Sequence, residues 1–361
     1  MAIISETSDD VSNKKPQEEE NLAPVTQHIP EGLAERILLR VKRCHYPKLS
    51  LFSGSFRNVV ASPILYQSRL QLGISEPVLY ASIGSPRNSW YILNRNAPRK
   101  ISLRLSEVRS LPPMNLGSAV VTIGYEMYVI GGDDGRSRYT SDFFLIDCRF
   151  HTCSSLPSMQ KRRHRPAAGV FDGKIYVIGG CDGPMSGYNW IEVFDRETQI
   201  WSSVPVAGPD PLYTCNFLAY VVIQEKIYIK DPQTYLTYEP RHGLLQDLGI
   251  GIHRRWHKEC CVVEDMLYSI SPCSVRNFLL ECDPSDMFWE PVIGCKLANV
   301  SGKLMVLGPT NVTYGRIDVW CVEISLERRQ SSPTRGKTVS MWRVLKSVKS
   351  PSIDLCCPVT F

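Results

Sequence analysis

Two basic segments carry the side chains best suited to binding an anionic partner. QKRRHRP spans residues 160–166 and HRRWHKE spans residues 253–259. Arginine and tryptophan are over-represented among the residues that dominate binding energy at protein interfaces. The segments therefore predict a target-binding surface, for a target that could be acidic. Its candidate residues are Arg162, Arg163, Arg165, Arg254, Arg255 and Trp256. The alternative is a structural role, in which such an arginine stacks between neighbouring repeats.

Residue types that support catalysis do not form a catalytic pattern. The histidines at 151, 164, 253 and 257 fall in predicted turns or basic segments, and no GxSxG, HExxH or paired-carboxylate motif occurs. Asp133 and Asp134 follow a glycine pair in GGDDGRSR, which lacks the Gly-Lys-Ser/Thr of a phosphate-binding loop. The sequence therefore predicts a protein with no active site and no cofactor.

The thirteen cysteines are odd in number and irregular in spacing. The opening MAIISETSDD lacks the basic and apolar regions of a signal peptide. We therefore expect buried thiols in a reducing compartment, the cytoplasm or the nucleus, and no secretion. Metal ligation at Cys260-Cys261 or Cys356-Cys357 is an alternative, but no second Cys/His pair at zinc-ligand spacing accompanies them.

The net charge and the hydropathy of the chain indicate whether a nucleic acid or a membrane could be a partner. The formal net charge is +5, and no apolar run approaches the length of a membrane span. That charge is far below the footprint of a dedicated nucleic-acid-binding protein. We expect neither nucleic acid nor a membrane as partner. Residues 1–24 contain six acidic residues and two lysines, and this composition predicts a disordered N-terminus.

The elements that must position the basic segments begin with a helical region. Leu33, Ile37, Leu38 and Val41 form one apolar face at helical spacing. A second helix is predicted from Pro47 to about residue 60, and a third after Pro63. Three short helices cannot bury this much apolar surface alone, so the region predicts a binding partner.

After residue 73 the hydrophobic pattern changes to period two and repeats. YEMYVIGGDDG (125–135) and GKIYVIGGCDG (173–183) place their glycine pairs 48 residues apart. Weaker copies are VLYASIG (78–84), EKIYIKDP (225–232), DMLYSISP (265–272) and GKLMVLGP (302–309). Four short antiparallel strands in each repeat of this length are typical of a β-propeller blade.

A second signal runs in phase with the first. An acidic residue ends one strand, and six residues later a large or apolar residue opens the next. The pairs are Asp147–Cys153, Asp195–Trp201, Glu239–Leu245 and Asp283–Trp289. The repeats predict six blades, with five as the alternative. DLCCPVTF (354–361) resembles the opening strand of a blade and is predicted to close the first one, whereas residues 325–340 are predicted to form a mobile surface loop.

The chain resembles the F-box/kelch-repeat family of plants. Residues 29–73 resemble its F-box, and YVIGG with FDRETQIWSSVP resembles its kelch unit. The resemblance implies a mainly β fold, a kelch-type propeller over residues 74–361 preceded by a small all-α F-box over residues 25–73. It also implies the substrate-recognition subunit of a cullin-RING ubiquitin ligase of the SCF type. In that complex the F-box docks on a Skp-type adaptor, which links to cullin and RING subunits, and the propeller presents a target protein.

The resemblance also carries over an adaptor-binding surface. Its residues are Ile29, Pro30, Leu33, Ile37, Leu38, Pro47, Leu49, Leu51, Ser53, Phe56, Arg57, Val59 and Pro63. Ile29 stands where leucine is usual, and Gly54 where lysine often follows the serine. Two other readings stay open. One is a kelch interaction scaffold without a role in ubiquitination, and the other is a propeller enzyme.

Overall fold

The structure is a computed structural model. It describes residues 29–84, 88–96, 102–136, 138–181, 190–206, 217–249, 256, 258–269, 295–309, 317–329, 332–348 and 352–361. The acidic N-terminus predicted for residues 1–24 lies outside the described residues, as do Arg254 and Arg255.

A small helical unit opens the described chain. Its elements are α1 (Glu31–Leu38), a 3-10 turn (Arg43–His45), α2 (Tyr46–Phe52), α3 (Gly54–Ala61) and α4 (Pro63–Gln71). Pro30 precedes α1, and Pro63 is the first residue of α4, where proline costs no intrahelical hydrogen bond. No helix among the described residues is long and apolar enough to cross a membrane.

The predicted second helix is two helices, and this corrects the sequence-based expectation. Ser53 is extended, with φ −152° and ψ 156°, and its hydroxyl accepts a hydrogen bond from the Phe56 N–H at 3.2 Å. A capping serine begins a new helix because its side chain satisfies an N–H that has no partner within the helix. The apolar spacing continues across Ser53, which is why periodicity alone does not detect the break.

The strands after the helical unit build antiparallel sheets. The first eleven strands are β1 (Pro77–Gly84), β2 (Asn88–Asn96), β3 (Ser102–Glu107), β4 (Ala119–Ile123), β5 (Glu126–Ile130), β6 (Phe143–Asp147), β7 (Thr152–Ser155), β8 (Ala167–Phe171), β9 (Lys174–Ile178), β10 (Ile191–Asp195) and β11 (Ile200–Val204). The others are β12 (Ala219–Ile223), β13 (Lys226–Lys230), β14 (Tyr235–Glu239), β15 (Leu244–Asp247), β16 (Cys260–Val263), β17 (Met266–Ser269), β18 (Lys296–Val300), β19 (Lys303–Pro309), β20 (Ile317–Arg329), β21 (Ser332–Val348) and β22 (Ser352–Thr360).

The sheets are the blades of a propeller, which confirms the predicted fold class. Blade 1 has the strand order β22-β1-β2-β3, blade 2 is β4 to β7, blade 3 is β8 to β11, and blade 4 is β12 to β15. Blade 6 is β18 to β21. Blade 5 is represented by β16 and β17, a two-stranded sheet followed by residues outside the described part of the chain.

The inner strands close a ring. The first strand of each blade contacts the first strand of the next, in the order β22, β4, β8, β12, β16, β18 and back to β22. The C-terminal β22 pairs antiparallel with β1, from Pro77 opposite Thr360 to Gly84 opposite Ser352. The last strand of the chain therefore supplies the inner strand of the first blade.

The hydrophobic core consists of layers between neighbouring blades. Separate clusters of buried residues join blade 1 to blade 6, blade 2 to blade 3, blade 3 to blade 4, and blade 5 to blade 6. One further cluster contains buried residues of the helical unit together with those of blades 1 and 2. The helical unit therefore completes its core by packing on the propeller.

The glycine pairs have a structural cause. Gly131 and Gly179 adopt φ values of 64° and 63°, a region that favours glycine. A Cβ at Gly131 would lie 2.5 Å from the Arg163 carbonyl oxygen, and a Cβ at Gly180 would lie 2.6 Å from the His164 carbonyl oxygen. The pairs therefore let the chain that enters blade 3 pass close to the ends of β5 and β9.

A mobile loop was predicted for residues 325–340, but its described parts, 325–329 and 332–340, belong instead to the long strands β20 and β21. The pairing of these two strands runs from Ile317 opposite Val348 to Arg329 opposite Ser332. The prediction was wrong because it weighed the polar composition above the register that β20 imposes on its partner: Thr338 pairs with Ile324, and Ser340 with Glu323.

Candidate protein-binding surfaces

The helical unit exposes an unusual share of apolar surface. Among the described residues, half of the exposed large hydrophobic side chains belong to this small unit. They are Leu33, Leu51, Phe52, Ile64, Leu70, Leu72 and Ile74. Leu51 and Phe52, at the end of α2, are 80% and 81% exposed. Surface of this kind on a small unit is typical of a protein-interaction site.

Of the thirteen positions predicted to bind an adaptor, most lie at the surface of the helical unit. Six are exposed, namely Pro30, Leu33, Pro47, Leu51, Arg57 and Pro63. Four are half-buried, namely Ile29, Ile37, Leu49 and Ser53. The structure thus leaves ten of these positions accessible in whole or in part.

The other three positions require a correction. Leu38, Phe56 and Val59 are buried in the cluster that the helical unit shares with blades 1 and 2. Their side chains hold the unit together, because a helix of this size must turn one face inward to have a core. Sequence reasoning also missed Phe52 and Ile64, whose apolar character was visible but whose exposure depends on how the helices pack.

The junction between the helical unit and the propeller is built around two arginines. Arg43 donates hydrogen bonds to the carbonyl oxygens of Cys148 at 2.7 Å and Arg149 at 3.0 Å, and its guanidinium lies 3.6 Å from the centre of the Phe361 ring. Arg149 lies 3.5 Å above the Tyr125 ring and forms an ion pair with Asp147 at 2.7 Å. The Arg43 contacts fix the helical unit to blades 1 and 2, and the Arg149 guanidinium also lies 5.8 Å from the centre of the Tyr66 ring in α4.

A third arginine, which is buried, fixes the connection into β1. Arg69 donates to the Ile74 carbonyl oxygen at 2.9 Å and to the Glu76 carboxylate at 2.6 Å. Glu76 in turn exchanges two backbone hydrogen bonds with Phe361, at the end of β22. The few residues between α4 and β1 are therefore clamped, and they hold the helical unit in one orientation.

The helical unit and the basic segment 160–166 lie on opposite faces of the propeller. The unit sits at the ends of the inner strands, where Thr360 donates to the Gly124 carbonyl oxygen beside Tyr125. Arg162 and Arg165 precede the start of β8, where Arg165 donates to the Gly117 carbonyl oxygen just before β4. Every blade repeats the same meander, so starts and ends of the inner strands face opposite ways.

Arg162 and Arg165 have exposed side chains, but Arg163 does not. Arg163 is 0% exposed and forms an ion pair with Glu192 at 2.8 Å. It also donates to the carbonyl oxygens of Gly179 at 2.6 Å and Trp190 at 3.0 Å. The structure therefore corrects the prediction for Arg163: its side chain holds blade 3 together and is not available to a target.

Trp256 is corrected in the same way. It stands four residues before β16, as Arg163 stands four residues before β8, and it is 3% exposed. Its ring lies 5.7 Å from that of Tyr235, and its indole N–H donates to the Cys260 sulfur at 3.2 Å. The aromatic side chain joins blade 5 to blade 4 instead of anchoring a ligand.

His151 and the pair Cys260-Cys261 occupy packed positions. His151 lies 2.8 Å from the Tyr80 hydroxyl, and burial, followed by the positive charge of Arg43, lowers the pKa of His151 to about 4. Burial raises the pKa of Cys260 to about 11 and that of Cys261 to about 12. Within the described ranges, no three His, Cys, Asp or Glu side chains come together as metal ligands.

Comparison with known proteins identifies the family. The model of the FKB95 Kelch-repeats domain matches residues 90–345. The F-box/LRR-repeat/kelch-repeat protein At2g29770 of Arabidopsis thaliana is 51% identical over 389 residues, covering 100% of both chains. The putative F-box/kelch-repeat protein At2g29780 of the same plant is 47% identical, also over 100% of both chains, and the F-box/kelch-repeat protein At2g29830 is 41% identical over 98% of this chain and 96% of its own.

These matches show that the chain belongs to the F-box/kelch-repeat family, with a helical unit followed by a kelch propeller. Among solved structures, that of YjhT is 14% identical and covers 69% of this chain and 91% of its own, with a TM-score of 0.48.

Proposed function

We propose that this chain is the target-recognition subunit of a cullin-RING ubiquitin ligase of the SCF type. The helical unit binds a Skp-type adaptor, through which cullin and RING subunits are recruited, and the propeller holds a target protein. The chain acts by binding and carries out no catalysis itself. It works in the cytoplasm or the nucleus.

The observation that carries this proposal is the combination of exposure and rigidity in the helical unit. Leu33, Leu51 and Phe52 offer apolar side chains to a partner, while Arg43 and Arg69 clamp the same unit to the propeller. A rigid connection transmits the position of a bound adaptor to whatever the propeller holds. That is the mechanical requirement of a subunit that must aim a target at a distant ubiquitin-transfer site.

The names of the relatives support the same proposal, because At2g29780 and At2g29830 are both described as F-box/kelch-repeat proteins. The opposite placement of the two candidate surfaces adds to it. A target held beside Arg162 and Arg165 would not collide with an adaptor held on the helical unit. Both partners can therefore be bound at once.

The test is adaptor binding by the full chain and by a double variant, Leu33→Ala with Leu51→Ala. We expect wild-type protein to bind a purified Arabidopsis thaliana Skp-type adaptor in biolayer interferometry, and each substitution to weaken binding by about tenfold or more. The matched control, Ile200→Ala with Met266→Ala, removes two comparably exposed side chains from the propeller and should bind like wild type.

Two results would contradict the proposal. Folded wild-type protein that binds no adaptor would leave a kelch interaction scaffold without a role in ubiquitination. Equal loss of binding in the double variant and its control would mean that the helical unit is not the docking surface. Circular dichroism of all three proteins establishes that each is folded before binding is compared.

A further inference from the structure

Two cationic side chains occupy equivalent places in two blades of the ring that are separated by blade 4. Arg165 lies two residues before the inner strand of blade 3, and Lys258 lies two residues before the inner strand of blade 5. Both side chains are exposed, and both stand on the face opposite the helical unit. No carboxylate among the described residues forms an ion pair with either of them.

Blades 6 and 1 add two more charged residues near the starts of their inner strands, on the same face of the propeller. Lys296 is the first residue of β18, and Asp354 is the third residue of β22. Lys296 forms an ion pair with Glu259 at 2.8 Å, so these two charges satisfy each other. We call Arg165, Lys258, Glu259, Lys296 and Asp354 the axial cluster.

The titration behaviour of the cluster agrees with its placement around the ring axis. Partial desolvation lowers the pKa of Lys258, and the positive charges of Lys296 and Arg165 lower it further, against the opposing negative charges of Glu259 and Asp354. Burial raises the pKa of Asp354, while Lys296 and Arg165 oppose that rise. Arg165 therefore acts across the ring on residues of blades 5 and 1, as expected where the inner strands converge.

The backbone at Arg165 adds an independent observation. Arg165 has a φ of 53°, a left-handed conformation that is uncommon for a residue with a long side chain. Gly117 of the neighbouring blade leaves the space for it, because a Cβ there would lie 3.0 Å from the Arg165 Cγ. Strain of this kind persists where the surrounding structure enforces it and is concentrated at functional sites.

We propose that the axial cluster binds an anionic group, a carboxylate or a phosphate, carried by a target polypeptide and placed between Arg165 and Lys258. The inference rests on the proposed function, in which the propeller holds a target, and it names the chemistry of the group recognised. The cluster has three cations and two carboxylates, so positive charge is in excess. Glu259 is paired with Lys296, whereas Arg165, Lys258 and Asp354 form no ion pair among the described residues, although Glu259 and Asp354 both act on Lys258. Charge-assisted hydrogen bonds from arginine and lysine are the usual means of holding such groups.

The experiment measures binding of three fluorescein-labelled peptides to the full chain by fluorescence anisotropy. One peptide has six glutamates between Gly-Ser flanks, one has phosphoserines in their place, and one has only glycine and serine. We expect the first two to bind at least tenfold more tightly than the third, with affinity that falls as salt is raised. The first two arms distinguish a carboxylate from a phosphate as the group recognised.

The variants separate recognition from folding. Arg165→Gly should weaken binding by about tenfold while leaving the melting temperature unchanged or raised, because glycine adopts positive φ without strain. Lys258→Ala should weaken it by a similar factor. Asp354→Asn should strengthen binding about threefold at pH 7.5, since it removes the opposing carboxylate, and a folding defect would not produce that gain. The control is Lys346→Ala, an exposed lysine on the outer strand β21.

The proposal is overturned if the acidic peptides bind no more tightly than the Gly-Ser peptide. It is also overturned if Arg165→Gly binds like wild type, or if Asp354→Asn gives no gain. Adaptor binding is measured on the same preparations. Failure of peptide binding with adaptor binding intact rejects the axial site alone, whereas peptide binding without adaptor binding rejects only the role in ubiquitination.

Discussion

Arg43 and Arg163 hold two junctions of this molecule in different ways. Arg163, within the propeller, places its guanidinium between the Glu192 carboxylate and two backbone carbonyl oxygens, with no exposed surface. Arg43, between helical unit and propeller, donates to two carbonyl oxygens and lies over the Phe361 ring, and no carboxylate in the described part of the chain pairs with it.

The two arginines differ in what their removal leaves behind. Removing Arg163 would leave the buried Glu192 carboxylate without its cationic partner, with only backbone N–H groups among the described residues donating to it, and such a change is strongly destabilising. Removing Arg43 would leave only neutral carbonyl groups at a half-buried site. The Arg163 junction therefore depends on a charge pair that must stay complete, whereas the Arg43 junction depends on contacts that are individually weaker.

The largest effect is expected for Arg163→Ala. The uncompensated Glu192 should lower the free energy of unfolding by about 3–5 kcal/mol, measured by urea denaturation. Arg163→Lys keeps the charge but loses the forked geometry, and it should fall between wild type and Arg163→Ala. The control is the adjacent, exposed Arg162→Ala, with a change below about 0.5 kcal/mol. Equal losses of unfolding free energy in Arg162→Ala and Arg163→Ala would contradict a structural role for the buried Arg163 side chain.

A smaller effect is expected for Arg43→Ala. Losing two charge-assisted hydrogen bonds and the contact with Phe361 should destabilise the junction by about 2–3 kcal/mol. We expect the helical unit to unfold in a separate transition and to become more sensitive to trypsin than the propeller. Arg40→Ala, near the exposed end of α1, is the control and should leave a single transition. If Arg43→Ala unfolds in a single cooperative transition, the junction between helical unit and propeller is as stable as the contacts between blades.

Sequence reasoning found the architecture because repeats and periodicity are local signals. The strand copies at 125–135 and 173–183 and the acids that end β6, β10 and β14 all match the blades. It did not distinguish Arg162 from Arg163, because both precede β8 in a basic segment. Their difference comes from Glu192, 29 residues further along the chain. The direction in which a loop side chain turns depends on such distant partners.

The same limit applies to the proposed adaptor-binding surface of the helical unit. Leu38, Phe56 and Leu51 are equally apolar in sequence, and only the packing of the helical unit on blades 1 and 2 decides which are covered. The break in the predicted second helix is another feature that the sequence pattern does not reveal. Its two halves keep one apolar spacing, so nothing in the pattern indicates the extended residue at 53. Exposure and local breaks are properties of the assembled fold.

A third prediction uses pH to examine the junction at Arg43. His151, beside Tyr80, is neutral in the folded protein because its pKa is lowered to about 4. Below pH ~6.5 the unfolded chain takes up a proton there that the folded chain does not, so stability falls as pH falls from ~6.5 to ~4. Since His151 is only half-buried, we expect a loss of about 1–2 kcal/mol.

The measurement is the difference between wild type and His151→Gln, because other groups titrate in both proteins alike. The difference in free energy of unfolding should be constant above pH 7 and should change in favour of His151→Gln as pH falls through the window. The positive charge of Arg43 contributes to the lowered pKa of His151. In Arg43→Ala this pKa should rise toward its ordinary value, so the pH range over which stability changes should narrow. An unchanged difference across pH 4–7 would place His151 in a solvated site.

The smallest effect is expected at Ser53, where a local cap can be separated from both junctions. Ser53→Ala removes the acceptor for the Phe56 N–H and should lower the free energy of unfolding of the helical unit by about 1 kcal/mol. Ser53→Asp should restore this stability, since aspartate caps a helix equally well.

The family resemblance also predicts Ser53 as an adaptor contact, and the two roles of Ser53 give different outcomes. A cap alone predicts that Ser53→Asp recovers both stability and adaptor binding. A direct contact predicts recovered stability with adaptor binding still reduced, because an added charge would replace the hydroxyl at the interface.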